Sequence, residues 1–175
     1  MLCIIVVTTL FFSGCGTKIE VEERILSDNW WIASTETVGA DAASVSSQAV
    51  DPSKWTQTTV PATVLGALVD AGVYPEPFFA MNLEDIPREP FEKPWWYKTT
   101  FQVKNFSAAK EQLRLMVDGI NYRANVWVNG VQVAREDTLF GAFRLFEIDI
   151  SNVAKNGVNT LLFEIHPPQV RDFYM

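Results

Sequence analysis

Tyr122-Arg123-Ala124-Asn125-Val126-Trp127-Val128-Asn129-Gly130-Val131-Gln132-Val133 holds two alternating apolar runs on either side of Asn129-Gly130. Asn-Gly between such runs is the strongest short-range hairpin signal, because a type I′ turn needs φ > 0 at both central residues. A two-residue turn sets Val128 opposite Val131 and Val126 opposite Val133, placing all four valines on one core face. Asn125, Trp127 and Gln132 take the other face, and Trp127 is expected to meet a neighbouring domain. Working outward, Trp95 to Val103 reads as a strand, and Leu113, Leu115 and Val117 alternate in the next. On the far side, Phe143, Leu145 and Ile148 to Ile150 predict one strand, and Leu161, Phe163 and Ile165 predict the last. Short strands with turn signals between them predict an all-β sandwich or jelly roll.

Upstream the pattern is mixed. Trp30-Trp31 open a strand, and Gly39 to Pro52, rich in Ala, Ser and Val, reads as a loop. Val64, Leu65, Leu68 and Val69 share a helical face, with Thr63 able to cap its start and Gly72 to end it, which predicts one short helix. Tyr74 to Pro94 contains Pro75, Pro77, Pro87, Pro90 and Pro94 and excludes a regular helix or a central strand. Phe78, Phe79, Met81, Phe91 and Trp95 give this long segment apolar material to fold against, so an ordered loop is expected.

At the amino end, an uncharged apolar run from Leu2 to Phe12 stops at Ser13-Gly14-Cys15. It is too short for a membrane span, which needs about 20 residues. It has the length of a signal-peptide core, with small residues before a cysteine, and resembles a bacterial lipoprotein signal. The resulting expectation is a signal over residues 1–14, lipid on Cys15, a polar tether over 15–25 and one domain over 26–175. It implies an exported, membrane-anchored lipoprotein, periplasmic or on the outer membrane. The n-region lacks Lys and Arg. The other reading of the same run is an amino-terminal core strand. With Cys3 removed and Cys15 lipidated, no thiol would remain for a disulfide or a metal. The net charge of −7 argues against nucleic acid as a partner.

Val126-Trp127-Val128-Asn129-Gly130, Gly141-Ala142-Phe143-Arg144, Asp149-Ile150-Ser151 and Gly157-Val158-Asn159-Thr160-Leu161 together resemble the amino-terminal sugar-binding domain of glycoside hydrolase family 2. Val60-Pro61-Ala62-Thr63-Val64-Leu65, Tyr74-Pro75-Glu76-Pro77-Phe78-Phe79, Met81-Asn82-Leu83 and Pro94-Trp95-Trp96-Tyr97 resemble its exo-β-D-glucosaminidase branch and, less closely, the β-mannosidases. The resemblance implies a jelly-roll β-sandwich, with catalysis by two glutamates on a later (β/α)₈ barrel. It also implies that the jelly roll is incomplete at Met175 and that this chain is the front portion of a lipid-anchored exo-β-glycosidase. The other reading is a free-standing carbohydrate-binding lipoprotein, since jelly rolls host both roles.

A retaining glycosidase needs two carboxyl groups about 5 Å apart, one with a raised pKa. Glu84-Asp85 should point apart, Glu22-Glu23 lies in the tether, and Asp149 of the Glu147/Asp149 pair matches a structural position of the family. No catalytic residue is therefore expected here. His166, the single histidine, is expected to be structural or at the surface. No metal cluster, phosphate loop or cofactor is expected. What remains is sugar contact: Phe78, Phe79, Asn82, Trp95 and Trp96 supply aromatic faces and an amide. In the family, loops of this domain rim the sugar pocket, so a β-linked oligosaccharide is the expected ligand and later domains of the same enzyme the expected partners. The alternative is that these residues pack the loop on the sandwich or on the barrel.

Overall fold

A computed structural model describes residues 5–11, 21–169 and 172. Among these residues ten strands make two antiparallel sheets: β1 (Ile5–Phe11), β2 (Val21–Ile25), β3 (Trp30–Ser34), β4 (Thr56–Thr58), β5 (Trp95–Val103), β6 (Glu111–Val117), β7 (Arg123–Val128), β8 (Val131–Ala134), β9 (Phe146–Asp149) and β10 (Gly157–His166). One sheet runs β2-β1-β6-β9 and the other β4-β3-β5-β10-β7-β8. The sheets face each other as a jelly-roll sandwich. Leu113, Leu115 and Val117 of β6 and Val126 and Val128 of β7, all at most 1 % exposed, belong to the core they enclose. Strict alternation on β6 follows from one buried and one wetter face.

The apolar run that offered either a leader or a core strand is, over Ile5–Phe11, strand β1, paired with β6 on one side and β2 on the other. Cys15 and the rest of the cleavage motif lie outside the described residues.

β5 and β10 break alternation for a physical reason. Trp96 and Leu162 point away from the main core into a second apolar cluster with Ala33, Val45 and Trp55. The cover over this cluster is the stretch read as a loop. It carries a helix instead, α2 (Ala42–Ser47), and a single turn, α1 (Thr35–Val38), precedes it. The Asp41 carboxylate accepts from Ser44 N at 2.9 Å and caps α2, a signal present in the sequence but diluted by the surrounding serines. Lys98 of β5, 5 % exposed, secures the other end of α2. Its Nζ donates to the carbonyls of Val45 (2.7 Å), Ser46 (3.2 Å) and Gln48 (2.6 Å). A cation at a helix carboxyl end satisfies carbonyls that the helix itself leaves free; burial pushes this ammonium's pKa down. Trp127 is partly buried on the same face. It packs edge-on against Trp96 with ring centres 5.6 Å apart.

The expected helix is α3 (Val64–Asp70), capped by Thr63 Oγ1, which accepts from Gly66 N at 2.9 Å; Gly72 follows at φ +73°. The proline-rich segment is ordered around a single turn, α4 (Asn82–Asp85), and a 3₁₀ turn over Glu89–Glu92.

The hairpin turn forms as read, with Asn129 at φ +52° and Gly130 at φ +81°. The four-valine face forms only in part: Val128 faces Val131 as expected, and Val133 packs against the core that holds Val126 and Val128. A bulge between Val126 and Trp127 shifts the register, so that Val126 faces Ala134 rather than Val133, and Val131 at the sheet edge is 51 % exposed. The strand expected from Phe143 shortens to β9. Phe143 (98 % exposed) and Leu145 (74 %) stand in the preceding loop, where no strand faces them.

Candidate functional site

The motifs that carried the resemblance turn out to build the fold. Asn129 Nδ2 donates to the Val153 carbonyl (2.9 Å) and to Asn159 Oδ1 (2.8 Å), and its Oδ1 accepts from Thr160 N (3.1 Å). Asn159, fully buried, donates in turn to the carbonyls of Lys155 and Gly157 and accepts from Lys155 N. Asn129-Gly130 and Gly157-Val158-Asn159 thus clamp each other. Asp149 accepts from Ser151 N at 2.9 Å, and Ser151 Oγ accepts from Leu113 N at 2.8 Å. These bonds hold the Asp149 carboxyl below the usual range, the Ser151 contacts acting first. Polar residues buried among strands need such partners.

The candidate site lies where β5 begins and β10 ends. Thr63, Val64, Phe91, Trp95, Tyr97, Asn121 and Ile165 line a mostly apolar hollow of about 310 Å³. A second hollow of about 350 Å³ lies on the far side of Phe91 and Pro167-Pro168, bounded by Glu92, Pro94, His166 and Gln169. The Trp95 indole N–H donates to the Pro90 carbonyl at 2.7 Å, so the indole is tied to the proline-rich segment that walls the hollow. The Tyr97 hydroxyl donates to the Ala62 carbonyl at 3.3 Å, and burial pushes its pKa up. Tyr74 packs on Phe91 with ring centres 6.1 Å apart and joins the start of the segment to its end.

A polar cluster flanks the second hollow. His166 Nε2 lies 3.1 Å from Glu164 Oε2 and its Nδ1 3.8 Å from Glu136 Oε2. Asn125 Nδ2 donates to Glu164 at 2.9 Å, while Asn125 Oδ1 accepts from Glu136 N at 2.9 Å. The Glu164 bond raises the His166 pKa against the opposing effect of burial. Burial pushes Glu164 upward, but its bonds from His166 and Asn125 outweigh that and hold it below the usual value. Arg123, stacked between the rings of Tyr122 and Phe140, pairs with Asp172. Sequence reasoning missed this cluster. Its only signal was period two along β10, which puts Glu164 and His166 on one face.

The cluster is not a glycosidase acid/base pair. A general acid needs a raised carboxyl pKa, whereas Glu164 is held ionised and the imidazole ring stands between it and Glu136. Glu147 pairs with Arg114, and Asp149 is bound to Ser151. Among the described residues, no group of three or more His, Cys, Asp and Glu side chains could hold a metal ion.

Of the five expected sugar-contact residues, the structure brings only Trp95 into the hollow. Phe78 and Phe79 are 90 % and 71 % exposed, on the outside of the proline-rich segment. Asn82 is partly buried and donates to the Glu76 carbonyl at 2.8 Å, holding that segment's turn. Trp96 is a correction. It is 0 % exposed on the opposite sheet face, its N–H given to the Gly39 carbonyl, so it has no surface for a ligand. Adjacent residues of a strand point to opposite faces, and Trp95 and Trp96 could not have shared one site.

Residues 39–172 match the family described as glycosyl hydrolase 2 galactose-binding domain-like. The chain belongs to this family. Exo-β-D-glucosaminidase of Streptomyces avermitilis is 38 % identical over 136 residues, covering 78 % of this chain and 15 % of that enzyme. Its counterpart from Amycolatopsis orientalis is 34 % identical over 136 residues, with 78 % and 13 % covered. The crystal structure of the A. orientalis exo-chitosanase superposes with a TM-score of 0.73 at 32 % identity, covering 81 % of this chain and 16 % of that one. A β-D-mannosidase from Dictyoglomus thermophilum, at 22 % identity and TM-score 0.63 over 82 % of this chain and 15 % of its own, shares the fold. The chain therefore spans about one seventh of the length of these relatives and matches only their amino-terminal domain. In this glycosyl hydrolase 2 domain part of the family signature, Asn129-Gly130, Asp149-Ile150-Ser151 and Gly157-Val158-Asn159, marks turns and clamps, while Thr63, Val64, Trp95 and Tyr97 of the upstream motifs line the first hollow.

Proposed function

We propose that this domain is the sugar-side front domain of an exported, lipid-anchored exo-β-glycosidase that removes terminal β-linked sugars, with amino sugars such as glucosamine as the first substrates to test. The observation that carries the reading is the 38 % identity to an exo-β-D-glucosaminidase, confined to that enzyme's amino-terminal domain. The side chains agree with it. Among the described residues no carboxylate pair is set up for hydrolysis, while the hollow at Trp95 and the exposed Phe78 and Phe79 offer aromatic surface of the kind sugar C–H faces stack on. Phe78, Phe79 and Trp95 rim the pocket, and Asn82 shapes the segment that carries them. Lipid on Cys15 places the enzyme at a membrane facing the periplasm or the exterior.

The test uses the protein continued through its reading frame, alongside residues 15–175 alone. Release of glucosamine from chitosan oligosaccharides is expected from the longer protein and not from the domain. Turnover by the domain alone, abolished by one carboxylate substitution within it, would overturn the assignment. The anchor is tested separately by mass spectrometry of the amino terminus against Cys15→Ser. An unmodified parent terminus sinks the lipoprotein reading.

A further inference from the structure

We propose that Ile5–Phe11 has two mutually exclusive fates, export signal or sheet strand, so that folding of the sandwich masks the signal. The inference rests on the lipoprotein reading above for the first fate and on the sheet for the second. In the structure β1 is an interior strand. It is in register with β6 from Ile5 opposite Val117 to Phe11 opposite Glu111, and with β2 from Val6 opposite Ile25 to Leu10 opposite Val21. β2 reaches the sheet through β1 alone. The same seven residues are the middle of the apolar run that processing before Cys15 would remove.

A signal core is read as a free apolar segment, whereas an interior strand has its backbone engaged on both sides. A precursor that folds first therefore hides its leader. A precursor that is processed first loses β1, and with it the attachment of β2 and the cover over the β6 edge. The occupant of that edge in the unprocessed chain is its own leader.

The amides that report this can be named. Leu113 N–H donates to Ser151 Oγ, and the Leu113 carbonyl accepts from Ile150 N, so the Leu113 backbone faces the β9 side. Backbone groups alternate sides along a strand, which turns Gln112, Arg114 and Met116 toward β1 and Leu113, Leu115 and Val117 toward β9.

The experiment is amide hydrogen exchange on the full chain carrying Cys15→Ser, which keeps the leader attached. Gln112, Arg114 and Met116 are expected to be protected together with Leu113 and Leu115. Adding Thr8→Pro, which an interior strand does not tolerate, should strip protection from the even-numbered set and leave the odd-numbered set. Free exchange of the even set in Cys15→Ser, or its persistence in Thr8→Pro, overturns the proposal. A second measurement decides whether or not Thr8→Pro folds. The parent precursor, either folded or freshly diluted from urea, is given to membrane vesicles carrying lipoprotein-processing enzymes. Loss of processing in the folded sample is expected, and equal processing of both overturns the proposal. If neither sample is modified at Cys15 while the even-numbered amides stay protected, the leader reading fails and β1 stands as a permanent strand.

Discussion

Two apolar groups about fifteen residues apart have opposite environments. Trp95, Trp96 and Tyr97 at the start of β5 are at most 8 % exposed, whereas Phe78, Phe79 and Met81 in the proline-rich segment are 60–90 % exposed. Their chemistry is the same, so hydrophobicity alone does not explain the difference. β5 is an interior strand flanked by β3 and β10, with the main core on one face and the α1–α2 cover on the other. The proline-rich segment cannot join a ladder, because its prolines lack N–H donors; it is tied down through Tyr74 on Phe91, the Trp95 N–H, buried Ile86, the Pro94 carbonyl that accepts from Thr35, and the Lys93–Glu36 pair. The stability of the domain comes from the sheet. The segment holds apolar surface that the domain itself does not bury.

The contrast is broken most severely from the core side. Val126→Asp would bury an unpaired carboxylate, and a loss upwards of about 4 kcal/mol is expected in a denaturant melt. A variant that melts like the parent would mean β7 does not face the core. Trp96→Ala should cost about 3–5 kcal/mol, the range for emptying a large buried site, measured the same way. Gly130→Val, at φ +81°, should cost about 1–2 kcal/mol from left-handed strain; an unchanged melt would remove the type I′ turn.

A smaller effect tests the polar cluster. The His166 pKa is raised above 6.5 chiefly by Glu164, with Glu136 adding and Arg123 opposing. That contribution is fully present below the ordinary histidine value and fades as pH rises through the folded one. Glu164, held below 4.5, loses its share as pH falls through its own folded value. The melting-temperature gap between parent and His166→Gln should therefore be widest between pH 4.5 and 6.5 and narrow by pH 9. A flat gap would mean the ring does not ionise with Glu164. At the far end of the scale, Phe78→Ala and Phe79→Ala should change stability by no more than about 0.5 kcal/mol. Each should still raise KM for a β-linked oligosaccharide in the longer protein. A large stability loss would place these rings inside the domain after all.

The sequence by itself determined the all-β class, the Asn129-Gly130 turn, the Thr63-capped helix, strand β5 to the residue, and the family. The structural features depend on local rules, since φ > 0, side-chain capping and period two are properties of a few neighbouring residues, and the family was legible in the order of short motifs along the chain. Other features were decided only by tertiary structure. The bulge at Val126/Trp127 took Val133 out of register, and cover from α1 and α2 buried Trp96 beyond a ligand's reach while Trp95, one residue earlier, came to line a hollow. Glu164 and His166 acquired Asn125 and Glu136 as partners from about 30–40 residues away in the chain. Ile5–Phe11 satisfies both a leader pattern and a strand pattern, and what makes it a strand here is the β6 backbone beside it. Burial and pairing belong to whichever surface arrives from elsewhere in the chain, and no local pattern specifies that surface.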